Sequence, residues 1–342
     1  MFGQTILRTG LPGDSILAAN RAIARLPHLG TFLEGEGAVA VGWGRKRSGR
    51  NAARLARRKG QRLILLEDGF IRSTGRRDAP QSLLIDDLGV HYDATGPSRM
   101  ESAITSPLPP ESAARAMRLV RQWTASGVSK YNHAAEYQGK LPPRYVLVVD
   151  QTAGDPAIAL GLADQARFAA MLEAALDEFP RHAIVLKTHP DVFSHGKARN
   201  FTPRLLSHPR VQVIDAECHP ALLLDNADAV YTVTSLMGFE GLLRGKLVRC
   251  FGMPFYAGWG LTQDLLEAPA RRGHASLAQL VHAALVDRAR YIDPANGTPS
   301  TPEDTIARIG DWRAAGSHLA ERRTAMRPRA KILQRLSDWW AR

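Results

Sequence analysis

The residues best suited to chemistry stand directly after short apolar runs. Arg62–Leu66 (RLILL) leads into Glu67-Asp68-Gly69-Phe70-Ile71-Arg72-Ser73. Two adjacent carboxylates leaving a strand let one face a cleft as a base while backbone or Arg72 holds the other, although the same residues also make an ordinary acidic turn. Tyr145–Val149 (YVLVV) leads into Asp150-Gln151-Thr152-Ala153-Gly154-Asp155. Gly154 permits a tight turn and close approach of a ligand to the backbone. Asp155 precedes Pro156, where a carboxylate either caps the next helix or serves a glycosyl transfer as nucleophile or base.

Further along, Ala183–Leu186 (AIVL) leads into Lys187-Thr188-His189-Pro190. Lys and His together at a strand exit suit an anionic phosphate, with His donating to a phosphate oxygen or to a leaving group. The run Thr232-Val233-Thr234-Ser235-Leu236-Met237-Gly238-Phe239-Glu240 sets hydroxyls and backbone N–H groups at a helix start, a place for an anion. Glu240 then falls on the first turns of that helix, where a carboxylate can bind the two hydroxyls of a ribose. Two Gly-Trp-Gly sequences, at 42–44 and 258–260, would each present an aromatic plane for a sugar or base to stack on, unless the rings pack in the core.

These residues need a framework of strands and helices. The pattern reads as strands at 38–42, 62–66, 145–149, 183–186, 211–214, 229–232 and 247–251, with helices near 51–58, 111–125, 162–178, 219–226 and 237–243. Continuous apolar strands separated by helices indicate parallel sheets covered on both faces. A break at Leu141-Pro142-Pro143 divides the chain into two Rossmann-like halves, residues 1–142 and 143–300, with residues 301–342 as a helical, basic tail. The site is expected in the cleft between the halves, outside the carboxyl ends of the strands. Neither GxGxxG nor GxxxxGK[ST] occurs, so dinucleotide and P-loop chemistry have no support.

Composition narrows the class. The 342 residues are 44% hydrophobic and 23% charged, which excludes a disordered or fibrous chain. Two cysteines, Cys218 and Cys250, supply neither a disulfide framework nor a structural zinc site. The first 30 residues carry Arg8, Asp14, Arg21 and Arg25, and no apolar run reaches the roughly 18 residues of a membrane span, so a cytoplasmic protein is expected. The net charge of +12 is concentrated at the end: residues 318–342 hold seven basic side chains against two acidic ones, with Leu336, Trp339 and Trp340. Such a helix either lies on anionic lipid headgroups or packs its Trp/Leu face on the body of the protein. Nothing beyond charge speaks for nucleic acid.

Phosphate donors and a ribose-type Glu in the second half, with carboxylates in both, are the layout of a nucleotide-sugar glycosyltransferase. The chain resembles the capsule polysaccharide β-Kdo transferases of the KpsC type. The matching stretches are GWGRK (42–46), LEDGFIRS (66–73), VLVVDQTAGD (146–155), KTHPDV (187–192), VYTVTSLMGFEGLL (230–243) and FGMPFYAGWGLTQD (251–264), in order between about 38 and 295. KpsC-type proteins carry two such modules, and this chain has room for one.

The resemblance implies an α/β fold of the GT-B type and a retaining transfer of Kdo from CMP-Kdo to a Kdo-terminated phosphatidylglycerol-type lipid at the inner membrane, beside other capsule assembly proteins. It implies contacts of His189, Thr234 and Ser235 with the CMP phosphate, with Lys187 nearby, and of Glu240 with the ribose. Asp155 is the implied nucleophile, with Asp150 as the other candidate, and Glu67 or Asp68 is the acid/base partner. No cofactor and no metal are expected, since the Lys/His/Ser cluster neutralises the departing CMP. The alternatives are a CMP-sialic acid or CDP-polyol phosphate transferase on the same fold, and a non-catalytic polysaccharide-assembly subunit.

Overall fold

The computed structural model describes the backbone of residues 5–8 and residues 15–75, 78–188 and 200–316 in full. His189 and residues 317–342, the basic end of the tail, lie outside the described residues, and with them the expectations placed on them. The expected α/β architecture of two Rossmann-like halves is present, each built on its own sheet.

The first sheet has the order β1-β2-β3-β4-β5-β12-β13. Its strands are Thr5–Arg8 (β1), Ser15–Ala18 (β2), Val39–Trp43 (β3), Arg62–Asp68 (β4), Ser82–Asp86 (β5), Ala289–Ile292 (β12) and Pro299–Ser300 (β13). Only β2, β3 and β4 run parallel; β1, β5, β12 and β13 pair antiparallel with their neighbours. The uniformly parallel sheet expected for this half is therefore not what forms. The described residues between β4 and β5 contain no helix to carry the chain back across the sheet.

The second sheet has the order β11-β10-β9-β6-β7-β8 and is parallel throughout. Its strands are Tyr145–Val149 (β6), Ala183–Lys187 (β7), Val211–Ile214 (β8), Ala229–Thr232 (β9), Leu247–Cys250 (β10) and Gln263–Asp264 (β11). β6 is buried along its whole length, as a strand covered on both faces requires. From β6 the chain winds outward through β7 and β8, then returns to place β9 on the other side of β6. The crevice between the carboxyl ends of β6 and β9 is thus the topological switch point.

The halves are interlocked rather than merely linked. Past β11 the chain returns to the first sheet, where β12 pairs with β5 and β13 with β12, so residues 289–300, read from the sequence as part of the second half, join the first sheet. The helix Pro302–Ala314 then packs on the helix Pro110–Ser126 of the first half. One apolar cluster crosses the boundary, and in it Phe70 of the first half stacks on Phe255 of the second, with ring centres 4.6 Å apart. Across the same boundary Glu101 accepts from Arg271 Nε and Arg272 Nε, both at 2.7 Å.

Candidate active site

Glu67 stands at the carboxyl end of β4. Two neighbours fix it. Trp43, at the end of the adjacent β3, donates from Nε1 to Oε2 at 3.1 Å, and the Tyr92 hydroxyl donates to Oε1 at 2.8 Å. Gly44 makes room: a Cβ there would lie 1.8 Å from Oε1. Burial pushes the Glu67 pKa up to about 7, against the Tyr92 bond and the charges of Lys130 and Lys46, which pull it down. A carboxyl group that changes state near neutrality suits proton transfer. Asp68 is committed to Arg72, whose Nε lies 2.9 Å from Oδ1, so the structure separates the roles of the two adjacent carboxylates.

The second half presents its strand exits at the switch point. After β6, Asp150 is buried; its Oδ1 accepts from Asn200 Nδ2 at 2.7 Å and from the Gln151 N–H at 2.8 Å. Burial raises its pKa, while these bonds and the Lys187 charge oppose the rise. Asp150 thus fixes the loop. The Gln151 side chain crosses the switch point to the loop after β9, accepting the Thr234 N–H at 2.8 Å and donating to Thr234 Oγ1 at 2.9 Å.

At the far end of this loop Asp155 caps the helix Pro156–Leu160, accepting the Ala157 N–H on Oδ1 at 2.9 Å. Its side chain remains partly exposed, and its charge reaches the Tyr92 hydroxyl, where it helps to hold the phenol protonated. Burial chiefly raises the Tyr92 pKa, and the charges of Glu67 and Asp155 add to the rise.

Ser235 caps the helix Leu236–Leu243, its Oγ accepting the Met237 N–H at 3.3 Å while its own O–H stays available to a ligand oxygen. Lys187 is buried at the end of β7 and donates to the Thr188 carbonyl at 2.7 Å; burial lowers its pKa.

Two expectations meet a different arrangement. Glu240 is 1% exposed, and its Oε1 accepts from Ser129 Oγ at 2.6 Å, which ties the helix Leu236–Leu243 to the segment joining the halves. Neither Gly-Trp-Gly tryptophan offers an open face. Trp43 is buried against Glu67, and Trp259 is buried, donating to the Phe255 carbonyl at 2.8 Å beneath the Arg272 guanidinium. Each ring finds its N–H partner only by turning inward. The sequence reading passed over Tyr92, Gln151 and Lys130. Gln151 sits inside a quoted motif, so its position was visible, whereas Tyr92 reaches Glu67 only because β5 reverses direction beside β4.

The model of the family described as capsule polysaccharide biosynthesis protein matches residues 38–137 and 116–291. The capsule polysaccharide modification protein LipA of Neisseria meningitidis is 39% identical over 312 residues, covering 84% of this chain and 44% of LipA. The lipopolysaccharide-processing protein LpsZ of Rhizobium meliloti is 36% identical over 251 residues, covering 70% of this chain and 57% of LpsZ. The chain thus spans about half the length of these relatives. Among solved structures, the β-Kdo 2,4 transferase of Thermosulfurimonas dismutans KpsC matches with a TM-score of 0.77 and 39% identity, covering 86% of this chain and 97% of that one. The β-Kdo 2,7 transferase of the same KpsC matches with a TM-score of 0.62 and 29% identity, covering 80% and 84%. With its family model matched across both sheets, the chain belongs to the capsule polysaccharide biosynthesis protein family.

Proposed function

We propose that this chain is a retaining glycosyltransferase that moves Kdo from CMP-Kdo onto a Kdo-terminated, phosphatidylglycerol-type lipid acceptor, building a β-Kdo linker of a capsular polysaccharide. The carrying observation is Glu67, with its pKa about 7, at the carboxyl end of β4, hydrogen-bonded to a Tyr92 hydroxyl on which the charge of Asp155 from the second half also bears. The likeness to the β-Kdo 2,4 transferase structure supports the donor class and favours a 2,4 linkage.

Kdo is an eight-carbon sugar acid whose carboxylate is attached to the anomeric carbon. In the first step an Asp155 oxygen attacks that carbon, a carbon–oxygen bond forms, and the bond to the CMP phosphate breaks. Ser235, Thr234, Lys187 and His189 are the groups assigned to the departing phosphate. In the second step Glu67 takes the proton of an acceptor hydroxyl, whose oxygen displaces Asp155 from the sugar. Two inversions give net retention. The basic tail is assigned to the anionic membrane surface that carries the lipid acceptor.

The experiment is a donor panel with linkage analysis. Purified protein and a synthetic Kdo-terminated acceptor receive CMP-Kdo, CMP-sialic acid or a CDP-polyol in separate reactions, and products are assigned by NMR. Transfer from CMP-Kdo alone, with a new β-2,4 linkage, is expected. Transfer from another donor, or release of no nucleotide from any, overturns the reading.

A further inference from the structure

The segment joining the two halves passes beside the candidate site and is pinned from both sides. Ser129 Oγ donates to the buried Glu240 of the second half at 2.6 Å. The Asn132 side chain accepts the Ser129 N–H at 2.9 Å and donates to the Ser73 carbonyl of the first half at 3.0 Å. Between these anchors stands Lys130. Its ammonium lies 5.7 Å from the centre of the Tyr131 ring, and the Arg72 guanidinium lies at the same distance from that ring.

The two cations differ in what they hold. Arg72 is consumed by Asp68, Ser73 and the Asp78 carbonyl, each at 2.9 Å. Lys130 makes no hydrogen bond from its ammonium and has no carboxylate oxygen within 4 Å among the described residues. It is nonetheless half-buried and charged. Burial pulls its pKa down, but Tyr131, Asp68 and Glu67 outweigh that effect and leave it above the ordinary lysine value. An ammonium withdrawn from water with three unused donors is costly unless something anionic completes it.

We propose that Lys130 is a specificity-determining residue that pairs with the carboxylate of the acceptor's terminal sugar acid while Glu67 takes the proton from its hydroxyl. The proposal rests on the transferase reading above. Without such a cation, the negative charge of Glu67 would repel an acidic acceptor from the base that must activate it. A phosphate of the donor is the other anion available. Lys130 stands on the Glu67 side of the cleft, however, whereas the nucleotide is assigned to the strand exits of the second sheet. Glu240 acts as the positioning residue, holding Lys130 in place through Ser129.

The test compares a Kdo-terminated acceptor with its carboxamide analogue, which has the same shape without the charge, using wild type, Lys130→Met, Lys130→Gln and Lys130→Arg. Wild type is expected to prefer the acid by about 10- to 100-fold in kcat/KM, the worth of one charge-assisted hydrogen bond. Lys130→Met and Lys130→Gln reduce that preference to nearly equal use of both acceptors, Lys130→Arg keeps most of it, and CMP affinity by calorimetry is unchanged. A neutral variant that keeps the preference, or a wild type that treats both acceptors alike, overturns the proposal. Loss of CMP affinity in step with turnover moves Lys130 to the donor phosphate and overturns it equally. Should both neutral variants fail to fold by circular dichroism, the wild-type preference and its retention in Lys130→Arg decide the matter. A wild type inactive with both acceptors overturns the transferase reading itself, and the proposal with it.

Discussion

The Tyr92 hydroxyl donates to Glu67 Oε1 at 2.8 Å, and this bond holds the Glu67 pKa below where burial alone would place it. For a general base the consequence is a rate that rises with pH through about 7. Tyr92→Phe removes a lowering influence, so the rising limb of kcat/KM shifts to higher pH. Glu67→Gln removes the base and is expected to cut turnover by about 10²- to 10⁴-fold. A pH–rate profile for the three proteins checks both effects.

Stability carries the same signature. Folding raises the Glu67 pKa from 4.5 to about 7, so the native state binds more protons than the unfolded chain between these values. The contribution is fully present below the unfolded pKa and is lost as pH rises through the folded one. Against wild type, Glu67→Gln is therefore expected to have a higher unfolding midpoint at pH 8 than the same comparison shows at pH 5. Parallel thermal melts at the two pH values measure it.

Asp155 is both a helix cap and the assigned nucleophile, and two substitutions separate these duties. Asn caps as well as Asp, so Asp155→Asn keeps its stability and loses transfer; Asp155→Ala also loses the cap, at about 1 kcal/mol. If Asp155→Asn retains wild-type turnover, Asp155 is only a cap.

Gly44 lies against the same carboxylate. In Gly44→Ala the new Cβ meets Glu67 Oε1 at 1.8 Å and Tyr92 Oη at 2.6 Å, at a φ of +35° that alanine disfavours. Displacing the base by about 1 Å is expected to cost about 10²-fold in rate. Steady-state assays on folded protein decide this, and an unchanged kcat would remove Glu67 from the proton path.

Glu101 neutralises two arginines across the boundary between the halves, and Arg272 is 7% exposed. Removing the shared partner leaves the buried Arg272 guanidinium uncompensated, so Glu101→Ala is expected to lose about 3–5 kcal/mol. Denaturant unfolding reads the loss directly.

Much of this architecture was legible in the residues themselves. Tyr145–Val149 and Ala229–Thr232 form strands at the expected bounds, because parallel strands buried on both faces are written as nearly unbroken apolar runs; the edge strand Val211–Ile214 also matches, its alternating Val-Gln-Val half-exposed. β5 was not read as a strand: Ser82–Asp86 lies among turn-forming residues and pairs antiparallel through contacts distant in sequence. The return of β12 to the first sheet was invisible for the same reason. The motifs placed Glu67, Asp155, Thr234 and Ser235 in the segments at the ends of β4, β6 and β9. They did not show that Trp43 and Trp259 turn inward, or that Glu240 Oε1 accepts from Ser129, since burial and partner choice depend on the packing of the halves.

The most direct measurement is an intact-product assay: purified protein, CMP-Kdo and a Kdo-terminated acceptor, read by mass spectrometry beside Asp155→Asn. The account predicts an acceptor heavier by one Kdo, formed by wild type and absent with the variant. A wild type that adds no mass and releases no CMP would contradict it.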